Sequence, residues 1–141
     1  AALALYKPGS TLKIAGDKAV EVITTGLVRL GILEGEVSQL IADEAYKAFY
    51  MHGLGHWLGL DVHDVGDYRL EDKAQNREFE PGMVLTIEPG IYIDRDADVA
   101  DQFKGIGIRI EDDILITEDG HRVLTSAAPK TIGEIEDLMT R

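Results

Sequence analysis

The stretch from Gly105 to Thr117, "GIGIRIEDDILIT", constrains the fold most. Ile106, Ile108 and Ile110 alternate with Gly107, Arg109 and Glu111, a period of two that a strand satisfies and a helix does not. It reads as one long strand, with Glu118-Asp119-Gly120 as a hairpin turn into "HRVLT". "MVLTIEPGIYI", Met83 to Ile93, reads as two short strands around Pro89-Gly90. On the first of them Met83, Leu85 and Ile87 share one face, and Val84, Thr86 and Glu88 the other.

Before these strands the period is helical. Leu12, Ala15, Ala19, Val22, Ile23, Leu27 and Leu30 recur at helical spacing after the turn signal Lys7-Pro8-Gly9. Ser10 or Thr11 is the expected N-cap and Gly31 the stop. A second helix is predicted from Glu36 or Val37 to Tyr50, with Val37, Leu40, Ile41, Ala45, Ala48 and Phe49 on one face. Asp67 to Glu80 and Asp94 to Lys104 are polar loops, and a short helix is expected between Ile132 and Met139. Two helices, then mostly antiparallel strands, then a helix make an α+β chain of 141 residues.

A net charge of −12 excludes nucleic acid and anionic membranes as partners, since both reward basic surface. The chain holds no cysteine, so disulfides and thiolate metal sites are excluded, which suits a reducing, cytoplasmic setting. No apolar run approaches the roughly twenty residues that span a bilayer.

Chemistry concentrates in "FYMHGLGHWLGLDVHDVG", Phe49 to Gly66, which holds His52, His56 and His63 with Asp61 and Asp64 close by. The spacing of His52 and His56 would put both on one helix face, but Gly53, Gly55 and Gly59 oppose a helix, each costing roughly 1 kcal/mol relative to alanine. The histidines are therefore expected on strand or loop, where glycine lets backbone approach a ligand closely. Any one of them, alone, reads more often as a hydrogen-bonded core residue than as a ligand; the three together, with Asp61 and Asp64, favour a site. Glu88 precedes Pro89 and so ends its strand at a turn, where it either reaches water or serves a site. Arg109 and Glu111 on one strand face are either a solvated ion pair of little worth or part of a ligand ladder. One imidazole and two carboxylates without sulfur suit Mn, Co, Zn or Fe(II), and bridging carboxylates allow two metals to share a water.

The blocks "HGLGHWLGLDVHDVG", "EPGMVLTIEPGIYI" and "GIGIRIEDDILIT" closely resemble the C-terminal part of the Xaa-Pro aminopeptidases, cousins of prolidase with the "pita-bread" metallopeptidase fold. The resemblance covers essentially the whole chain, with its blocks in the family's order. It implies the distal half of that fold: two helices, a curved, mostly antiparallel sheet and a short C-terminal helix, residues 1–141 forming one partial domain. It implies that His56, Glu88 and Glu111 are metal ligands, Glu111 bridging two divalent ions and Glu88 also shuttling protons. Manganese is the metal it favours, with cobalt or zinc as alternatives. His52 and His63 match histidines lining the substrate site, and Arg109 an arginine on the proline-binding side, able to pair with a neighbouring acid or orient His63. Tyr92 lines the same pocket. The implied reaction is hydrolysis of the bond between a peptide's N-terminal residue and a following proline, through hydroxide held by the metals.

The family's two upstream metal-binding aspartates have no counterpart before His56, where Asp17, Glu21, Glu34, Glu36, Asp43 and Glu44 all lie in or beside predicted helices. The expectation is a piece of a longer catalytic domain, with weak metal binding and negligible peptidase activity on its own, because carboxylates left uncompensated repel each other. Half a sheet implies an open edge and apolar surface, hence self-association into a homo-oligomer. Two other readings stand beside this one: a prolidase-type dipeptidase, and a binding module that keeps the fold without metals.

Overall fold

The computed structural model describes residues 1–70 and 74–140. A 3-10 turn, Ala2–Leu5, leads to the fully buried Tyr6. Helix α1 (Leu12–Arg29) follows, its N-cap being Thr11, whose hydroxyl accepts from the Ile14 amide. Gly31 takes φ +69°, a left-handed conformation that glycine adopts without a Cβ penalty, and ends the helix. Ala15, Ala19 and Leu27 of the predicted apolar face are buried, whereas Val22 and Leu30 remain exposed.

The second predicted helix is shorter than the spacing indicated. α2 spans Val37–Ala42, and a separate 3-10 turn covers Ala45–Ala48. Between them Glu44 adopts φ 56°, which breaks the helical path at a residue that carries no glycine or proline signal.

Among the described residues five strands form two antiparallel sheets. β1 (Val84–Ile87), β4 (Asp112–Thr117) and β5 (Gly120–Val123) make one in the order β1-β4-β5, while β2 (Gly90–Tyr92) and β3 (Gly107–Arg109) make the other. The long strand expected over residues 105–117 is therefore two strands in two sheets. Ile87 pairs with Asp112 and Gly90 with Arg109, so Glu88-Pro89 lies opposite Ile110-Glu111 at the break. Pro89 accepts from the Ile110 amide but has no N–H to return, so the ladder is interrupted where both carboxylates sit. The predicted hairpin turn is Glu118-Asp119, with Gly120 already paired to Thr117 in β5.

Two cores result. One gathers Tyr6, Ala15, Ala19, Leu54, Phe79 and the inward residues Leu85, Ile87, Ile114 and Ile116 of the three-stranded sheet. The other packs Leu27 and Ile32 with Phe49 and Ile93. Of the predicted loop Asp67 to Glu80, residues 71–73 lie outside the described residues; Arg69 and Asn76 on either side form a bridge. The last helix, α3 (Ile132–Met139), has the predicted bounds and a capping box between Thr131 and Glu134. Among the described residues no helix is long and apolar enough to cross a membrane.

Candidate metal centre

The histidine-rich stretch, Phe49 to Gly66, contains no helix, in keeping with its glycines. Instead it runs along the free edge of β1. Leu58 donates to Val84 O, Thr86 to His56 O and Glu88 to Leu54 O, at 3.1, 2.9 and 2.7 Å. Three backbone segments, 54–58, 84–88 and 111–115, thus lie side by side. Gly55 is needed for this approach: a Cβ there would lie 2.0 Å from Thr86 O.

His56, Glu88 and Glu111 each offer a ligand atom within 4.8 Å of the others, forming a group that could hold a metal ion. The His56 Nδ1 lies 2.9 Å from Trp57 O. A carbonyl only accepts, so Nδ1 carries the proton and Nε2 presents its lone pair. That lone pair faces Glu88 Oε1 at 3.4 Å. With the imidazole neutral these two atoms are both acceptors, which a shared cation would satisfy, and a backbone bond to the far ring nitrogen is how metal-binding imidazoles are oriented. The donor set, one imidazole and two carboxylates, fits a hard or borderline divalent ion.

The Glu88 side chain is 12 % exposed and Glu111 is open to solvent. Arg109, with a side chain 52 % exposed, brings its Nε to 3.7 Å from Glu88 Oε2. Glu88 is thus an acidic neighbour of Arg109. The ring of His63, itself exposed, meets that of His56 edge-on with centroids 4.3 Å apart.

His52 and Tyr92 pair with each other. His52 Nδ1 is 2.8 Å from Gly53 O and its Nε2 is 2.9 Å from the Tyr92 hydroxyl, so Nδ1 donates and the tyrosine donates to Nε2. Burial first, and the Glu88 charge second, push the Tyr50 phenol up to about 12, so this ring, edge-on to His52 at 5.0 Å, stays protonated. Burial likewise raises Tyr6, whose hydroxyl donates to Thr86 O at 2.8 Å.

Two residues were not singled out by sequence for what the structure gives them. Asp64, noted above only as lying close to the histidines, accepts from the amides of Leu60 and Val65 at 3.1 and 2.9 Å and so folds the loop that carries His63. Thr86 is 1 % exposed and its hydroxyl accepts from the His56 amide at 2.9 Å. Its place two residues before Glu88 on one strand face was the available signal. The fourth histidine, His121, is remote from this group and bonds Tyr6 O at 2.9 Å.

This arrangement belongs to a known class. The chain is a member of metallopeptidase family M24, whose sequence model matches residues 1–118. It is similar to the Xaa-Pro aminopeptidase of Haemophilus influenzae, at 59% identity over 138 residues, covering 98% of this chain and 31% of that protein. With the Xaa-Pro aminopeptidase of Escherichia coli the identity is 55% over 137 residues, covering 97% and 30%. Among solved structures it superimposes on aminopeptidase P from E. coli with the inhibitor Pro-Leu at a TM-score of 0.92, and on Pseudomonas aeruginosa aminopeptidase PepP at 0.95. Identities there are 55% and 57%, each over 99% of this chain and 31% of the other. The chain thus spans under a third of the length of these relatives. Its fold is α+β, part of the pita-bread fold, and its family implies divalent metal ions.

Proposed function

We propose that His56, Glu88 and Glu111 are metal ligands of a Xaa-Pro aminopeptidase that cleaves the bond between an N-terminal residue and a following proline. The observation that carries this reading is the imidazole fixed through Nδ1 so that Nε2 faces Glu88 Oε1, with Glu111 completing the group. Divalent ions there supply Lewis acidity that activates water and polarises a peptide carbonyl. Manganese is the proposed metal, with cobalt or zinc as alternatives, because the donor set lacks sulfur. Further donors come from polypeptide outside these 141 residues, since three protein ligands hold a dinuclear centre poorly.

Glu88 takes a proton as the nucleophile forms and delivers it to the departing proline nitrogen. Its place beside Arg109, whose Nε lies 3.7 Å from Oε2, supports this, because the guanidinium holds that side of the carboxylate and leaves Oε1 toward the site. Arg109, His63, His52 and Tyr92 line the substrate's path. The exposed His63 edge offers a donor to the developing oxyanion, and the Tyr92–His52 pair holds one imidazole tautomer toward the peptide. The absence of cysteine supports a cytoplasmic setting, and the exposed side chains Ile108 and Leu30 support self-association.

Titrating the chain with Mn(II) and reading bound metal by electron paramagnetic resonance tests the ligand set. Saturable binding by the native chain that is lost in His56→Ala and Glu88→Gln is expected. Equal binding by native and His56→Ala protein would overturn the assignment.

A further inference from the structure

Thr86 is buried beneath the metal centre yet offers it nothing directly; its hydroxyl meets two groups that the centre depends on. It accepts from the His56 backbone amide at 2.9 Å. It also points at Glu88 Oε1, 3.4 Å away, and Oε1 is the oxygen that faces His56 Nε2. A hydroxyl has one proton to give and lone pairs to receive with, so both contacts can be made at once. The backbone carbonyl of the same residue is held by Tyr6 at 2.8 Å, and the Thr86 amide donates to His56 O at 2.9 Å. The residue is thus fixed from the core side and leaves its hydroxyl aimed at the site.

We propose that Thr86 is a positioning residue for the centre, setting through one hydroxyl both the backbone that carries His56 and the choice of Glu88 oxygen that faces it. The physical consequence is a division of the carboxylate. Oε1 is turned to the imidazole, while Oε2 is left to Arg109 at 3.7 Å. Without the hydroxyl the His56 amide loses its acceptor, and Glu88 loses the contact that distinguishes its two oxygens. The ring then no longer keeps the single orientation that its Nδ1 bond to Trp57 O requires. Gly55 has a matching role, because a side chain there would strike both the carbonyl and the hydroxyl of Thr86. This inference rests on the reading of His56 and Glu88 as ligands.

The test compares Thr86→Val, which keeps the shape and removes the hydroxyl, with Thr86→Ser, which restores it. Metal binding is read with Co(II), whose electronic spectrum reports ligand geometry, and the metal-free chain is read by the ring nitrogen resonances of His56. Thr86→Val is expected to weaken Co(II) binding about 10–100-fold, the usual effect of losing a group that orients a ligand, with a changed spectrum. In the same variant the metal-free His56 ring is expected to turn from one Nδ1–H tautomer into a mixture. Thr86→Ser is expected to bind within about threefold of the native chain and to keep the single tautomer. The proposal is overturned if Thr86→Val retains native affinity and tautomer, or if Thr86→Ser fares as badly as Thr86→Val while both fold by circular dichroism. His56→Ala separates the two readings: if it too leaves Co(II) binding untouched, the ligand assignment falls; if it alone abolishes binding while Thr86→Val does not, only the role of Thr86 falls.

Discussion

The two sheets are built by the same pair of chain segments, yet they differ in almost everything that stabilises a sheet. In β1-β4-β5, Leu85, Ile114 and Ile116 are sealed in a core with Tyr6 and Phe79. In β2–β3, Ile108 is 57 % exposed, and Ile108, Ile91 and Leu27 line an open apolar cavity of about 430 Å³. The segments pass from one sheet to the other at Glu88-Pro89 and Ile110-Glu111, so the proposed metal centre stands on the seam. The difference teaches how its ligands are held. His56 and Glu88 hang from the sealed side through Thr86 and the 54–58 segment, whereas Glu111 and Arg109 project from the open side. On the proposed assignment, such a centre would have two ligands fixed before metal arrives and one that settles with it.

The largest expected effect attacks the sealed side. Ile114→Ala removes a side chain with no exposed surface and is expected to cost about 4 kcal/mol, while Ile108→Ala on the open sheet is expected to change stability by less than about 0.5 kcal/mol. Denaturant unfolding of both variants decides this. Similar losses would mean that the two sheets share one cooperative core.

Next comes the seam's backbone approach. Gly55→Ala sets a methyl 2.0 Å from Thr86 O and is expected to destabilise by about 3 kcal/mol, because neither backbone can give way alone. Gly53→Ala, where a Cβ meets nothing within 4 Å, is the matched control and is expected to be neutral in thermal melts. An unharmed Gly55→Ala would break the claim that the 54–58 segment is locked to β1.

How much of this contrast could be read in the sequence follows from what each feature depends on. Period-two alternation marks strands because a strand's side chains alternate whatever it pairs with, so residues 84–92 and 107–117 were legible as β structure. Which sheet each joins was not, because the split at Ile110 is imposed by Pro89 on the opposite segment. The break in the second helix fell on Glu44, a residue whose left-handed conformation no local pattern announces. His56, Glu88 and Glu111 were visible as metal chemistry and as family motifs, and the structure brings them together. The roles of Thr86 and Asp64 were not legible because their work is hydrogen bonding to backbone, which follows from three-dimensional approach and not from residue type.

A smaller effect sharpens the contrast between fixed and settling ligands. At Mn(II) tenfold above its dissociation constant, linkage is expected to raise stability by about 1.4 kcal/mol, and Glu88→Gln is expected to erase that gain. Glu111→Gln should reduce it less, since this ligand lies on the exposed side of the seam. Thermal melts with and without metal give the ranking, and a larger loss from Glu111→Gln would reverse the proposed order.

The smallest effect lies outside both sheets, where structure is held locally instead of across the chain. Helix α3 starts in a capping box: Thr131 Oγ1 accepts from the Glu134 amide at 3.3 Å, and Glu134 Oε2 accepts from the amides of Thr131 and Lys130 at 2.9 and 3.1 Å. Those backbone N–H groups, the Thr131 amide first, hold the Glu134 carboxyl at a pKa of about 2, against an ordinary 4.5. A folded pKa below the unfolded value means a contribution that is complete above about 4.5 and fades as pH falls toward 2. The side-chain carboxyl carbon of Glu134 is therefore expected to titrate near 2 by nuclear magnetic resonance, and the helical shift of the Ile135 amide to fade in the same window. Glu134→Gln should remove that pH dependence while leaving the β1-β4-β5 resonances unmoved. A midpoint near the ordinary carboxylate value would show that the cap is not formed in solution, and α3 would then need support from elsewhere in the chain.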